Sequence, residues 1–278
     1  MESFNGGVHA GHSSDDRLLQ GEYNVDVFGF VKQGWELFRQ EPGKYIGFFL
    51  LLIAVYLIEQ IFGKLFDFGS VTNEASPNIY PEMLVKLFLM MALSILFSLA
   101  VIPLYVGFNI VAFKQMSGQK TEFGNFFHGY RYMASLIASS LAQGFIIFVA
   151  VLIIALVSGV LVFGLGTGHS APSSERSGVY LLVIIPILVV TIYIGVLYVF
   201  SQLLIIDRRL GFWQAMEMSR KVVKKQWFSV FGLLLIIGLL SMLGVLALFV
   251  GLLVTVPVSQ LTLAVAYKEI FGLQSSDW

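Results

Sequence analysis

Few residues in this 278-residue sequence have the types and spacing to do chemistry. His9 and His12 with Asp15 and Asp16 carry the side chains of a metal site. Their stretch, Met1 to Tyr23, is polar, rich in Gly and Ser, and free of periodic apolar residues. It reads as a disordered cytoplasmic tail that would not hold ligands at fixed distances. His128 could act as acid or base, but its sequence neighbours do not suggest a catalytic pairing, and it reads as a surface helix residue. The loop GLGTGHSAPSSERSG (Gly164 to Gly178) is rich in glycine yet lacks the GK[ST] of a phosphate loop. HExxH, GxSxG and paired aspartates inside apolar runs are absent from the sequence. With no cysteine, thiol catalysis, disulfides and Cys-based metal sites are excluded. The expectation is therefore a non-enzyme without cofactor or resident metal, and without a nucleic-acid partner.

Two further groupings point to a bilayer. Arg220, Lys221, Lys224 and Lys225 crowd the polar side of FWQAMEMSRKVVKKQWFSVFG, which runs directly into LLLIIGLLSMLGVLALFVGLL. The first part reads as a basic amphipathic helix on a membrane surface, with Trp227 at its end. The second reads as a span. Within the apolar runs, Asn109, Gln143, Gln202 and Gln260 are the polar residues that could mark a pathway or join helices. Pro103, Pro186 and Pro257 are kink positions, since proline removes a backbone donor and crowds the preceding turn. Gly238, Ser241, Gly244, Ala247 and Gly251 recur every three or four residues, which defines a close-packing face.

The elements that must position these residues follow from composition and periodicity. The chain is 57% hydrophobic and only 12% charged, against about 25% for soluble domains, with a mean hydropathy of +0.84. Asn24 or Asp26 caps a first amphipathic helix bearing Trp35, which Pro42 and Gly43 end. Spans are expected at about 45–62, 83–113, within 136–163, 179–206, 228–250 and 252–270. In that arrangement 14 of the 17 basic residues face one side, with Lys64, Lys86 and Arg176 on the other. The positive-inside rule then puts both termini in the cytoplasm, with anionic lipid as the partner of the basic face.

The surface segments are also similar to one another. Phe28, Val31, Gly34 and Phe38 become Phe123, Phe126, Gly129 and Met133 on adding 95, and Trp213, Met216, Ser219 and Val223 on adding 185. Pro103 precedes Lys114 by 11 residues, as Pro257 precedes Lys268. The fold expected is all-α: a tail over 1–23, then a six-span membrane domain over 24–278. Its three units, about 24–118, 119–209 and 210–278, would each hold an amphipathic interfacial helix and a helical hairpin.

The aromatic surface helix entering a span (WQAMEMSRKVVKKQWFSVFGLLL), with the closing VPVSQLTLAVAYKEI, resembles a broad group of uncharacterised bacterial six-span proteins. That group is related to the membrane domain found beside some glycerophosphodiester phosphodiesterases. The resemblance covers about Val25 to Leu273 and implies a multi-pass protein of the bacterial inner membrane. It carries no catalytic residues over, and the phosphodiesterase chemistry does not follow from it. The functions left in view are a membrane scaffold or accessory subunit, a transporter or channel for a small solute or lipid, and an intramembrane enzyme acting on lipid.

Overall fold

A computed structural model describes residues 18, 20, 23–65, 81–164, 173–247 and 250–275. Helix α1 (Val27–Gln40) starts where the Gly29 amide donates to the Asp26 side chain at 3.0 Å, the cap expected of an Asp before an amphipathic run. Glu41 interrupts the chain. Pro42 then opens α2 (Pro42–Leu65) instead of merely ending α1, the first-turn position where its missing N–H costs nothing. Helix α3 (Pro81–Met116) is continuous through Pro103. A ten-residue 3₁₀ segment (Phe123–Tyr132) replaces the expected second amphipathic α-helix and leads into α4 (Met133–Gly164).

The expected fourth span is two helices, α5 (Ser173–Leu197) and α6 (Ser201–Arg208). The break falls at residues 198–200, and α5 runs through Pro186. Serine hydroxyls explain the place of the break. Ser201 Oγ donates to the Tyr198 carbonyl at 2.7 Å, and Ser219 Oγ donates to the Leu197 carbonyl at 2.8 Å. Both compete for acceptors that a continuing helix would use. Helix α7 (Phe212–Val223) and a short 3₁₀ turn (Lys224–Gln226) precede α8 (Trp227–Leu246) and α9 (Leu252–Phe271).

Among the described residues there is no strand, and five stretches are long and apolar enough to cross a membrane. They are Pro42–Ile61, Leu84–Met116, Phe123–Val160, Val183–Arg208 and Phe212–Leu246. The third and fifth include the 3₁₀ segment and α7 at their starts. This architecture is compatible with a polytopic helical membrane protein. The expected sixth span, α9, is present as a helix but is not among the five. Thr255, Ser259, Gln260, Thr262, Lys268 and Glu269 make it more polar than those five. From Pro257 to Phe271 most of its side chains are buried against α1, α2, α3 and α8, so it can carry Ser259 and Thr262 without facing lipid.

The core lies toward one end of the bundle, where the amphipathic segments pack on helix ends. Segment α1 lies on α9, the 3₁₀ segment on α3, and α7 on α6. Tyr45, Phe48, Phe108 and Phe126 are fully buried together there, with Phe48 and Phe126 stacked at 4.2 Å and Phe108 meeting Phe48 edge-on at 5.1 Å. Toward the other end, Leu84–Leu96 of α3 and Leu141–Val160 of α4 present mostly exposed apolar side chains.

The closest approaches use small residues. A Cβ at Gly34 would sit 2.9 Å from the Thr262 amide nitrogen, and one at Gly129 would collide with the Pro103 carbonyl oxygen. Tyr130 donates to the carbonyl of Ala100 at 3.0 Å, in the turn that Pro103 loosens. Gly244 meets Gly251 in the tight turn between α8 and α9, and Ser241 meets Ser259 at 3.3 Å. The small-residue face is thus partly used, while Gly238 has open space beside it.

The tail expected over 1–23 lies mostly outside the described residues, as do His9, His12, Asp15 and Asp16. Leu18 is 6% exposed and packs in the core. The Tyr23 hydroxyl donates to the Val222 carbonyl at 3.0 Å, and the Gln226 side-chain amide donates to the Tyr23 carbonyl. Burial pushes that hydroxyl up to about 12, against a hydrogen bond with the Gln226 backbone. This residue is a fastening point between the chain's start and the turn after α7.

Candidate functional site

The basic group is built by helical spacing on α7. Ala215, Met216, Ser219, Val222 and Val223 are buried, which turns Trp213, Glu217, Arg220 and Lys224 outward along one stripe. Arg220 grips Glu217 through Nε at 3.0 Å and through a terminal nitrogen at 2.8 Å, and Lys221 approaches the same carboxylate at 3.3 Å. Lys224 and Lys225 are exposed and make no ion pair among the described residues. Arg220, Lys221, Lys224 and Lys225 line a shallow depression of about 530 Å³. A second, of about 250 Å³, adjoins it through Arg220 and is lined also by Tyr198, Trp213, Met216 and Glu217.

The two tryptophans expected at the surface differ. Trp35 is 42% exposed and stacks on Phe38 at 5.7 Å. Trp227 is held inside a joint: it stacks on Phe231 at 5.0 Å, lies against Tyr193 at 5.5 Å, and donates to the Tyr193 carbonyl at 3.4 Å. It clamps α8 to α5. Trp213, 61% exposed, is the aromatic residue that accompanies the basic stripe.

The polar residues of the long helices are mostly joined to each other. Gln143 of α4 donates to Ser139 at 3.0 Å and across to Ser201 of α6 at 2.9 Å. Gln202 of α6 donates back to Ser140 of α4 at 3.2 Å. Asn109 is 3% exposed, and its side-chain oxygen has no hydrogen-bond partner among the described residues. Gln260 is half-buried near Pro257, a buried residue inside α9. Pro103 and Gly244 mark close backbone contacts, as described above. Among the described residues no group of His, Asp and Glu could hold a metal ion.

Two polar clusters were not visible in the sequence. Asp207, 2% exposed, accepts from the Tyr267 hydroxyl at 2.9 Å and from the amides of Gln274 and Ser275, each at 3.1 Å. Beside it Arg208 donates to the Phe271 carbonyl at 2.9 Å. The second cluster joins the α1–α2 corner to the loop after α3. Lys44 donates to Glu41 at 2.5 Å and to the Thr121 carbonyl at 2.7 Å, while the Thr121 hydroxyl donates to Glu41. Burial pushes the Glu41 carboxyl up, but the hydrogen bonds from Lys44 and Thr121 and the Lys44 charge outweigh it and hold it below its ordinary value. Next to this, Gln115 accepts from Tyr45 at 2.8 Å and donates to the Leu37 carbonyl at 2.9 Å.

Among the described residues these features define an all-helical architecture with five stretches long and apolar enough to cross a membrane, and a basic, aromatic-flanked surface. No family model, no curated protein and no solved structure matches the chain.

Proposed function

We propose that this chain is a non-enzymatic membrane scaffold or accessory subunit, with six crossings and a basic cytoplasmic face. The observation that carries the reading is the Gln143–Ser201 hydrogen bond with its Gln202–Ser140 counterpart. Polar groups at these depths pair α4 with α6, which is what helix-joining residues do in lipid. A transported ion or solute would instead call for such groups to face a passage. The basic stripe of α7 supports a cytoplasmic orientation and a place for anionic lipid at the inner leaflet. On the residue pattern alone, we group the chain with the bacterial six-span proteins it resembles.

The three-unit reading draws support from packing. The buried positions Phe30, Asn125 and Ala215 stand in the 95 and 185 registers, as do Gly34, Gly129 and Ser219. Gly129 meets Pro103, and Ser219 meets Leu197, which precedes Arg208 by the same 11 residues that separate Pro103 from Lys114. Each surface segment rests on the closing helix of another unit.

The test is purification of the full chain from native membrane in mild detergent, followed by mass spectrometry of what stays bound. A stoichiometric membrane-protein partner is the result expected. Recovery of the chain alone, with solute flux in liposomes that Gln143→Ala or Gln202→Ala abolishes without loss of folded protein, would overturn the scaffold reading for the transporter.

A further inference from the structure

The three surface segments present three outward stripes in the same register, and they differ in chemistry. On α1 the stripe is Phe28, Lys32, Trp35 and Arg39, with Glu36 exposed beside it. On the 3₁₀ segment it is aromatic: Phe123, Phe127 and Tyr130. On α7 it is Trp213, Glu217, Arg220 and Lys224, with Lys221 and Lys225 on its flank. Only the α7 stripe gathers four cations within six residues. One acid, Glu217, fixes Arg220 in place, and Lys224 and Lys225 have no acidic partner among the described residues.

We propose that the depression spanning Arg220, Lys221, Lys224 and Lys225 seats the phosphate of one anionic membrane phospholipid. The inference deepens the proposed function and rests on its reading of α7 as a helix on the membrane surface. Charge complementarity selects an anion. The geometry selects a lipid rather than a free phosphate, because Trp213 stands exposed one helical turn beyond Glu217 on the same stripe. An indole there sits at the depth of lipid headgroups, where its ring is wetted on one side and apolar on the other. The adjoining depression beside Trp213, walled by Tyr198 and Met216, continues the site toward the end of the apolar helix α5. Arg220, held by Glu217, offers its remaining donors in a fixed plane suited to a phosphate. The lysines act as mobile point charges around it.

The experiment uses the full-length protein in nanodiscs of zwitterionic lipid doped with phosphatidylglycerol, and native mass spectrometry counts the lipids retained after extraction. The variants are K221Q/K224Q/K225Q, W213A, and K32Q/R39Q as the equivalent change on α1. The triple variant is expected to lose retained anionic lipid about tenfold or more, with zwitterionic lipid unaffected. W213A is expected to weaken retention of both, and K32Q/R39Q to leave retention at the wild-type level. Wild-type retention in the triple variant overturns the proposal. So does equal loss in K32Q/R39Q, which would make the effect one of net charge, and so does displacement of the lipid by millimolar inorganic phosphate. A cysteine at position 225 (K225C) keeps the two levels apart. If it is labelled from outside the cell, the surface orientation itself fails. If it is labelled only from inside and retention is unchanged, the headgroup site alone fails.

Discussion

The hydroxyl of Tyr267 donates to the carboxylate of Asp207 across 2.9 Å, and the pair joins the end of α6 to the end of α9. The same ring lies 5.3 Å from Phe113 at the end of α3, so three helix ends converge on one residue. The backbone amides of Gln274 and Ser275 complete the carboxylate's partners and tie the segment after α9 to this junction. A buried carboxylate supplied with hydrogen bonds is stabilising; one stripped of them is costly.

Asp207→Ala is therefore expected to destabilise the protein by about 2–4 kcal/mol, since it leaves the Tyr267 hydroxyl and two amides without their acceptor. Tyr267→Phe removes one bond and should cost about 1–2 kcal/mol. Thermal unfolding in detergent measures both, and a melting temperature unchanged in Asp207→Ala would contradict the junction.

Substitution of glycine by alanine should separate used from unused close contacts. At Gly129 the new methyl meets the Pro103 carbonyl, and at Gly34 it meets the Thr262 backbone. Each is expected to cost about 1–3 kcal/mol. Gly238→Ala, with nothing within 4 Å of the new atom, should be neutral or stabilising by up to about 1 kcal/mol. Equal behaviour at the three sites, read from melting temperature, would sink this distinction.

The corner held by Glu41, Lys44 and Thr121 is sensitive to acid. The folded-state value of Glu41 lies below its ordinary 4.5, so its contribution is fully present above that pH and is lost as pH falls through the lower value. Below pH 4.5 the wild type should converge with Glu41→Gln in stability, having exceeded it at pH 7. Parallel stability curves from pH 7 down to pH 3 would contradict the assignment.

Topology can be read directly because the chain has no cysteine. Val250 is exposed between α8 and α9, and Lys225 is exposed before α8. An impermeant maleimide applied to intact cells is expected to label V250C and to reach K225C only after permeabilisation. Labelling of both from outside would mean that α8 does not cross.

The long helices and their limits were legible because apolar runs and flanking polar residues report burial in a single dimension. Asp26 was readable as a cap, but the apolar pattern alone places Val27, Val31, Trp35 and Phe38 on one face, whereas the buried line is Phe30, Gly34 and Phe38 and Trp35 is exposed. Gln143 and Gln202 were recognisable as helix-joining residues from their apolar surroundings. The break at 198–200 was not, since Ser219 drives it from another helix. Asp207 and Tyr267 each look like the polar end of a span, and only their contact, 60 positions apart, makes them a junction. Trp227 reads as a surface residue because tryptophan at a helix start usually is one, and it stays half-buried; its packing against Tyr193 of another helix was not readable. The helix of α9 was readable from its sequence, but its burial among other helices was not, because polar residues within it do not report which helices surround them.

The seating of α1 on α9 sets a schedule for biosynthesis. Gly34 leaves the ribosome 228 residues before Thr262, an interval of roughly 10–45 s at typical elongation rates. Through that time the face of α1 around Gly34 has no α9 to rest on, and the bilayer surface is the shelter at hand. The nascent chain thus holds α1 in waiting, and the bundle closes when α9, its hub, has been made.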